Sequence, residues 1–196
     1  MDLKPPQVIV IAGPNGAGKS TLAPHLLRDS FDLPEYVNAD AIALGLSGFA
    51  PEGAAFEAGR VMLERLHSLA EQNRSFAFES TLASRSYAPW LAQLKERGYK
   101  VHVLFLWLRS PELAVYRVKE RARTGGHDVP EDVVRRRYSR GIRNLFHLYQ
   151  PLADTWTILD NSDPSPNPAL VASGHGSTAV DILRARIWDE IKEAAK

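Results

Sequence analysis

The segment from Val8 to Thr21 constrains the fold of this chain more than any other stretch. It begins with the apolar run Val-Ile-Val-Ile-Ala and continues directly into Gly-Pro-Asn-Gly-Ala-Gly-Lys-Ser-Thr. The second part fits the pattern G-x-x-x-x-G-K-[ST], in which a buried strand delivers a glycine-rich loop to the edge of a sheet. Glycines let backbone N–H groups turn inward around a phosphate, so the segment predicts a strand, a phosphate-binding loop (P-loop) and a helix.

The residues of this loop predict a division of roles at a bound phosphate. Lys19 would reach the outer phosphates as a point charge, and Ser20 would offer its hydroxyl to Mg²⁺. The helix that follows would direct the positive end of its dipole at the same anion. The alternative is an ordinary glycine turn between a strand and a helix. The full set of predicted nucleotide-binding residues is Gly13, Pro14, Asn15, Gly16, Ala17, Gly18, Lys19, Ser20 and Thr21.

Composition argues against several classes of function. The 196 residues include 24 Lys and Arg against 23 Asp and Glu, so a formal net charge of +1 provides no overall basic field for nucleic acid. The chain has no cysteine, which excludes disulfides, thiol catalysis and thiolate zinc sites. The apolar runs have the length of strands, and the first residues are polar and interrupted by proline. We therefore expect no membrane segment and a cytoplasmic protein.

Strand-like runs alternate with helix-competent segments along most of the chain. This pattern predicts one α/β domain over residues 1–196, a P-loop NTPase three-layer sandwich with a five-stranded parallel sheet and helices on both faces. The stretch 163–177 is rich in Pro, Gly and Ser and predicts a flexible connector, followed by a C-terminal helix over about 178–195. After the P-loop strand, the predicted strands are Tyr36–Asp40, Phe76–Thr81, Lys100–Leu108 and Trp156–Ser162.

Two carboxylates at the ends of predicted strands are candidates for chemistry. Functional groups collect at the carboxyl ends of parallel strands, so we expect Asp40 beside the P-loop as a catalytic acid. The alternative for Asp40 is an N-cap of the helix from Ala41 onward, and one residue can do both. Glu79 could bind a substrate hydroxyl, hold Mg²⁺ through water or act like a Walker-B acid; the alternative is an ordinary strand-end carboxylate.

Arginines concentrate in the segment from Arg117 to Arg143. Two arginine-bearing helices are predicted to meet at the flexible tripeptide Gly125-Gly126-His127. Phosphoryl transfer needs mobile cations that close over the transferred group, so this pattern predicts a small helical lid over about 117–140. Arg117 and Arg121 are four residues apart and share a helix face, which makes them the predicted catalytic pair. The alternative is a solvated basic face.

Taken in order along the chain, these motifs resemble the zeta toxin family of P-loop kinases, which have a nucleoside-monophosphate-kinase-like core. The resemblance spans about residues 7–162, and its specificity comes from the ordered set of four segments. These are Gly13–Thr21, Asn38-Ala39-Asp40, Phe78-Glu79-Ser80-Thr81-Leu82 and the arginine-rich segment Arg117–Arg137.

The resemblance implies an ATP- and Mg²⁺-dependent phosphotransferase with an alcohol group as acceptor. It implies that Asp40 is the general base, and that Glu79 and Thr81 bind an acceptor such as the sugar nucleotide UDP-N-acetylglucosamine. It also implies that lid arginines, here assigned to Arg117 and Arg121, steady the phosphates, and it allows an antitoxin-like protein partner. At one position this chain departs from the toxins, which have an arginine two residues after the threonine, where this chain has Ala83.

Two other functions are compatible with the same residues. A nucleotide-responsive regulatory module would use the same loop without phosphorylating an acceptor, although the acids Asp40 and Glu79 favour an enzyme. A nucleic-acid-acting P-loop kinase is compatible with the basic segment 135–143, but Tyr138 is the single aromatic residue of that segment, and stacking platforms would require aromatic residues interleaved along it. The sequence therefore predicts a small-molecule acceptor and argues against nucleic-acid and membrane partners.

Overall fold

A single sheet organises the part of the chain that the computed structural model describes, which is residues 5–31, 35–47, 51–126, 128–163, 165 and 167–196. The strands are β1 (Gln7–Ala12), β2 (Tyr36–Val37), β3 (Phe76–Ser80), β4 (Lys100–Trp107), β5 (Thr155–Asp160), β6 (Ala169–His175) and β7 (Thr178–Ile182). The helices are α1 (Lys19–Phe31), α2 (Ala39–Leu46), α3 (Ala55–Glu71), α4 (Tyr87–Glu96), α5 (Pro111–Arg123), α6 (Glu131–Asn144), α7 (Gln150–Leu152) and α8 (Ala185–Ala194). A 3₁₀ turn covers Pro51–Ala54, and a π-helical turn covers Leu145–Tyr149.

The strand order is β2-β3-β1-β4-β5-β6-β7, in which β1 to β5 are parallel and the last two strands are antiparallel. The strand β1 lies between β3 and β4, and its residues Val8–Ala12 are fully buried. Burial on both faces explains why this run is continuously apolar. The chain order reverses at β1, which opens a crevice at the carboxyl end of this strand, where α/β proteins bind their ligands.

The core has a larger and a smaller part, which contact β1 from its two faces. Alternate residues of β1 point to opposite faces, so Val8 and Val10 join the larger cluster while Ile9 and Ile11 join the smaller one. The smaller cluster includes Ala23 of α1, and this contact packs the helix that follows the P-loop against the sheet. Within the described residues, no helix is long and apolar enough to cross a membrane.

The predicted sheet is correct for its five parallel strands, but the sheet has seven strands. The predicted flexible connector is wrong for 169–175, which forms β6, and the predicted C-terminal helix is wrong for 178–182, which forms β7. Close packing explains the glycine at position 174, because an added Cβ there would lie 2.5 Å from a ring carbon of Trp156. Glycine in this segment is thus a requirement of strand packing and does not mark a linker.

Candidate active site

The loop after β1 combines left-handed glycines with close backbone packing. Gly13, Gly16 and Gly18 have φ angles of +139°, +77° and +83°, which side-chain-bearing residues rarely adopt. An added Cβ would lie 2.3 Å from the carbonyl oxygen of Leu106 at Gly13, and 2.9 Å from that of Ala114 at Gly16. The glycine spacing of the motif is therefore required by the structure, and successive backbone N–H groups in such a turn make an anion-binding nest.

Lys19 opens α1 and folds back over this loop. Its Nζ donates hydrogen bonds to the carbonyl oxygens of Gly13 and Pro14, both at 3.0 Å. Burial lowers the pKa of the Lys19 ammonium, and the carboxylates of Glu79 and Asp40 act in the opposite direction. The Lys19 ammonium group therefore lies at the P-loop, where an oxygen of a bound phosphate would compete with the carbonyls of Gly13 and Pro14 for its hydrogen bonds.

Asn38, between β2 and α2, sets the position of Asp40. The Oδ1 atom of Asn38 accepts hydrogen bonds from the backbone N–H groups of Asp40, at 2.8 Å, and Ala41, at 3.3 Å. Asn38 is therefore the N-cap of α2, and the interpretation of Asp40 as the cap is wrong. Asp40 lies in the first helical turn, and its Oδ2 atom is 3.8 Å from Nη1 of Arg121.

Glu79 lies beside the P-loop because of the sheet register. Residue Ile11 of β1 pairs with Glu79 of β3, so the carboxylate emerges at the carboxyl end of the sheet. Glu79 accepts hydrogen bonds from the hydroxyl of Ser20, at 3.1 Å, and from the hydroxyl of Tyr36. Burial raises the pKa of the Glu79 carboxyl, and the charge of Lys19 opposes this effect.

The Ser20 hydroxyl and the Glu79 carboxylate are hard oxygen donors of the kind that Mg²⁺ prefers. Among the described residues there is no group of three or more His, Asp or Glu side chains that could hold a metal ion. A Mg²⁺ ion in nucleotide enzymes is bound by one or two protein oxygens and completed by phosphate oxygens and water. The donor set at Ser20 and Glu79 fits that kind of ion.

Arg121 of α5 and Arg137 of α6 reach the same site from two helices. Both guanidinium charges act on Lys19 and lower its pKa, after the larger effects of burial and the two carboxylates. Burial and the neighbouring Arg136 lower the pKa of Arg137, whereas the charge of Asp40 raises it. The site therefore brings three cations toward the carboxylate of Asp40. His127, the third residue of the predicted hinge between these helices, lies outside the described residues.

Arg117 does not join this cluster. Its guanidinium donates hydrogen bonds to the carbonyl oxygens of Asn161, at 2.7 Å, and Ser162, at 3.0 Å. The side chain of Asn161 in turn donates to the carbonyl oxygen of Ala17 at 2.8 Å, which ties the segment after β5 to the P-loop. Arg121 therefore shares the cavity with Arg137, whereas its predicted partner Arg117 bonds the segment after β5.

A cavity of about 630 Å³ lies in front of the P-loop. The predicted site residues that line it are Asn15, Lys19, Ser20, Asp40, Glu79, Thr81 and Arg121. Two further lining residues, Asn38 and Arg137, were not predicted as site residues. The signal for Asn38 was its preference for helix N-caps, but no local signal distinguishes Arg137 from the other arginines of α6. The Oδ1 atom of Asn15 is buried without a hydrogen-bond partner among the described residues.

The parallel sheet, the glycine nest and the lysine at the start of α1 define a P-loop protein with a kinase-like fold. Residues 8–143 match the family described as AAA domain, and the chain belongs to that family. A relative, an uncharacterized protein of Haemophilus influenzae, is 33% identical over 132 residues, which is 67% of this chain and 92% of the relative.

Solved structures share this fold at low sequence identity. The complex of AvrRxo1-ORF1 and AvrRxo1-ORF2 with sulphate ions matches with a TM-score of 0.77 and 17% identity, over 97% of this chain and 65% of the other. The same complex with ATP matches with a TM-score of 0.75 at 17% identity, over 97% and 64%. This chain thus spans slightly less than two thirds of that neighbour. The PezAT toxin–antitoxin system of Streptococcus pneumoniae matches with a TM-score of 0.66 at 16% identity, over 99% and 80%. The resemblance to zeta toxins is confirmed at the level of the fold.

Proposed function

We propose that this protein is an ATP-dependent kinase that transfers the γ-phosphoryl group of ATP to a hydroxyl group of a small molecule. The observation that carries the proposal is the shared cavity of Asp40, Lys19 and Ser20, in which a carboxylate faces a phosphate-binding loop. A regulatory nucleotide switch has no need of such an acid on the acceptor side. The fold shared with an ATP-bound neighbour, AvrRxo1-ORF1:-ORF2, supports the choice of nucleotide.

In this mechanism the loop amides bind the phosphates of ATP and Lys19 exchanges its carbonyl partners for phosphate oxygens. When bound by Ser20 and, through water, by Glu79, Mg²⁺ neutralises charge on the phosphates. Asp40 orients the acceptor hydroxyl and accepts its proton. The acceptor oxygen then forms a bond to the γ-phosphorus while the bond from that phosphorus to the bridging oxygen breaks, and ADP leaves.

Arg121 and Arg137 stabilise the charge that spreads over the γ-phosphoryl oxygens during transfer. Their convergence on Asp40 and Lys19 supports this role, because a planar guanidinium can bond two phosphate oxygens at once. The Gly125-Gly126 segment that follows α5 lets the two helices act as the proposed lid. Arg117 serves instead as a clamp between α5 and the segment after β5.

Acceptor-dependent formation of ADP tests the proposal. The purified protein is incubated with ATP and Mg²⁺, alone and with sets of sugar nucleotides, nucleosides and small alcohols, and Lys19→Ala serves as the blank. We expect at least one set to accelerate ADP formation by the unaltered protein and none to do so with Lys19→Ala. Tight ATP binding without acceleration by any acceptor would instead favour the regulatory module.

A protein partner is a second part of the proposal. One of the fold neighbours is a complex of two proteins, AvrRxo1-ORF1 and AvrRxo1-ORF2. Another, PezAT, is a toxin–antitoxin system. These neighbours support an antitoxin-like partner for this chain. Isolation of the tagged protein from its own host, followed by mass spectrometry of stoichiometric partners, tests this expectation.

A further inference from the structure

We infer that the acceptor of this kinase is an uncharged alcohol with an apolar body, an inference that rests on the proposed function. The distribution of charge around the cavity carries it. The charged side chains among the described lining residues are Lys19, Asp40, Glu79, Arg121 and Arg137. All five belong to the cluster at the P-loop, since each of the others acts electrostatically on Lys19. Charge is therefore confined to the end of the cavity where the phosphoryl group is transferred.

The wall formed by α2 and α3 is apolar. Ala55, Gly59 and Met62 recur at helical spacing along α3 and line the cavity together with Ala43 and Leu44 of α2. Met62 is almost fully buried, whereas Leu44 lines the cavity with 60% of its surface exposed. Together these side chains give one wall of the cavity an apolar lining, which is the common character of small-molecule sites.

Hydroxyl groups complete the acceptor side of the cavity. Thr81 and Ser84, on the segment after β3, both line it, and the hydroxyl of Ser84 is 2.7 Å from that of Ser86. Neutral hydroxyls pair well with the alcohol, amide or carbonyl groups of an uncharged molecule. They provide no counter-charge for a phosphate or a carboxylate.

An acceptor with a phosphate of its own would meet an unfavourable surface. The guanidinium groups of Arg121 and Arg137 face Asp40 and Lys19, where the triphosphate of ATP engages them. A second anion would have to lie against Ala43, Gly59 and Met62, and a buried charge without a partner is costly. This wall therefore favours a neutral acceptor over the sugar nucleotide that the resemblance to zeta toxins implies.

Gly59 offers a direct test of charge on this wall. An added Cβ there meets no atom within 4 Å, so a side chain can start from this position into open space. Gly59→Lys and Gly59→Met place side chains of similar length on the wall and differ in charge. For an uncharged apolar acceptor we expect an acceptor KM about tenfold higher in Gly59→Lys than in Gly59→Met, with the KM for ATP unchanged in both.

The probe for these measurements is a deproteinised bacterial metabolite extract, separated by anion exchange and then by reversed-phase chromatography. Acceptor-dependent ADP formation is expected in the fraction that passes the anion exchanger and is retained on the apolar resin. The active fraction is then titrated against the two Gly59 variants. Three results would overturn the inference while leaving the kinase proposal intact. They are activity in the anionic fraction, activity in the polar neutral fraction, and an acceptor KM in Gly59→Lys that is equal to or lower than that in Gly59→Met. Absence of acceptor-dependent turnover in every fraction would overturn the kinase proposal itself.

Discussion

Asn38 leaves the Asp40 carboxylate available for chemistry by taking the capping role. Its Oδ1 atom bonds the first N–H groups of α2, while its Nδ2 atom donates to the hydroxyls of Ser20, at 3.2 Å, and Tyr36, at 3.3 Å. One amide thus links the start of α2 to the Ser20–Glu79 pair. If Asp40 were the cap, at least one of its oxygens would bond the backbone N–H groups of α2, and less of the carboxylate would be open to an acceptor.

The substitution Asp40→Asn tests the general base. We expect the rate of phosphoryl transfer to fall by about 10²–10⁴-fold, because an amide cannot accept the hydroxyl proton. ATP affinity should change little, since Asp40 lies outside the P-loop. Single-turnover transfer and an ATP titration measure the two effects. The control Asp132→Asn removes an exposed acid of α6 that pairs with Arg136, and it should leave the rate unchanged. A full transfer rate in Asp40→Asn would exclude the base assignment.

Glu79 gives the stability of the ligand-free protein a predictable pH dependence. Burial raises the pKa of this carboxyl above its ordinary value of 4.5, so between the two values the folded state binds more protons than the unfolded state. The contribution of Glu79 to stability is therefore present below pH 4.5 and is lost as the pH rises through the folded-state pKa.

The substitution Glu79→Gln removes this titration. We expect the free energy of unfolding of Glu79→Gln, relative to that of the unaltered protein, to increase as the pH rises through this window. Urea denaturation on the acid side of the window and at neutral pH measures the difference. A difference that stays constant across the window would show that Glu79 has no raised pKa.

At the level of elements, α6 carries Arg137 of the site and also contacts the segment that follows β3. Asn144 donates a hydrogen bond to the carbonyl oxygen of Leu82 at 2.7 Å, and Leu82 has a left-handed φ of +54°, which is uncommon for this residue type. The backbone of Gly141 approaches the carbonyl oxygen of Thr81, to which an added Cβ would come within 2.4 Å. Movement of α6 would therefore move Arg137 and the Thr81 segment together.

Two glycine-to-alanine substitutions in helices should have opposite effects. Gly59→Ala in α3 meets open space, so we expect it to raise the free energy of unfolding by about 0.5–1 kcal/mol. Gly141→Ala in α6 meets the Thr81 carbonyl, and we expect a loss of about 1–3 kcal/mol together with a higher acceptor KM. Denaturant titrations of both variants measure these changes. Stabilisation by Gly141→Ala would show that α6 is not held close to Thr81, in the segment after β3.

At the scale of the whole molecule, the proposed nucleotide cradle, which is the P-loop (Gly13–Thr21) with the segments packed against it, depends on parts of the chain that are distant in sequence. The P-loop packs on β4 through Gly13 and Leu106, and the segment after β5 reaches it through the hydrogen bond from Asn161 to Ala17. Arg117 joins α5 to that same segment. A nucleotide bound in the cradle should therefore stabilise the fold as a whole.

A thermal shift measures this coupling. At a concentration about 100 times its Kd, a non-hydrolysable ATP analogue with Mg²⁺ should add about 2.7 kcal/mol of stability, which corresponds to about 5–10 °C in Tm for a domain of this size. We expect Lys19→Ala to lose most of this shift. The control Lys192→Ala removes a lysine that lies over the ring of Trp188 in α8, and it should retain the shift. Equal shifts in both variants would contradict the assignment of Lys19 to the phosphates.

The sequence was informative wherever a signal is local. The P-loop, its supporting strand and the acids Asp40 and Glu79 were all predicted, because a contiguous motif and the ends of parallel strands determine where such residues lie. Composition was misleading after β5, where Ser173 and Gly174 belong to β6 and Gly174 is required by close strand packing.

By itself, therefore, the sequence determined the phosphate loop, the parallel part of the sheet and the edge of the sheet at which the acids collect. Only the tertiary structure decided that Arg137 accompanies Arg121 while Arg117 clamps the segment after β5, and that Asn38 is the cap in place of Asp40. It also decided that α2 and α3 form an apolar wall. Helical spacing relates residues within one helix, whereas the partners of an arginine depend on how separate helices pack, and that packing involves contacts between distant parts of the chain.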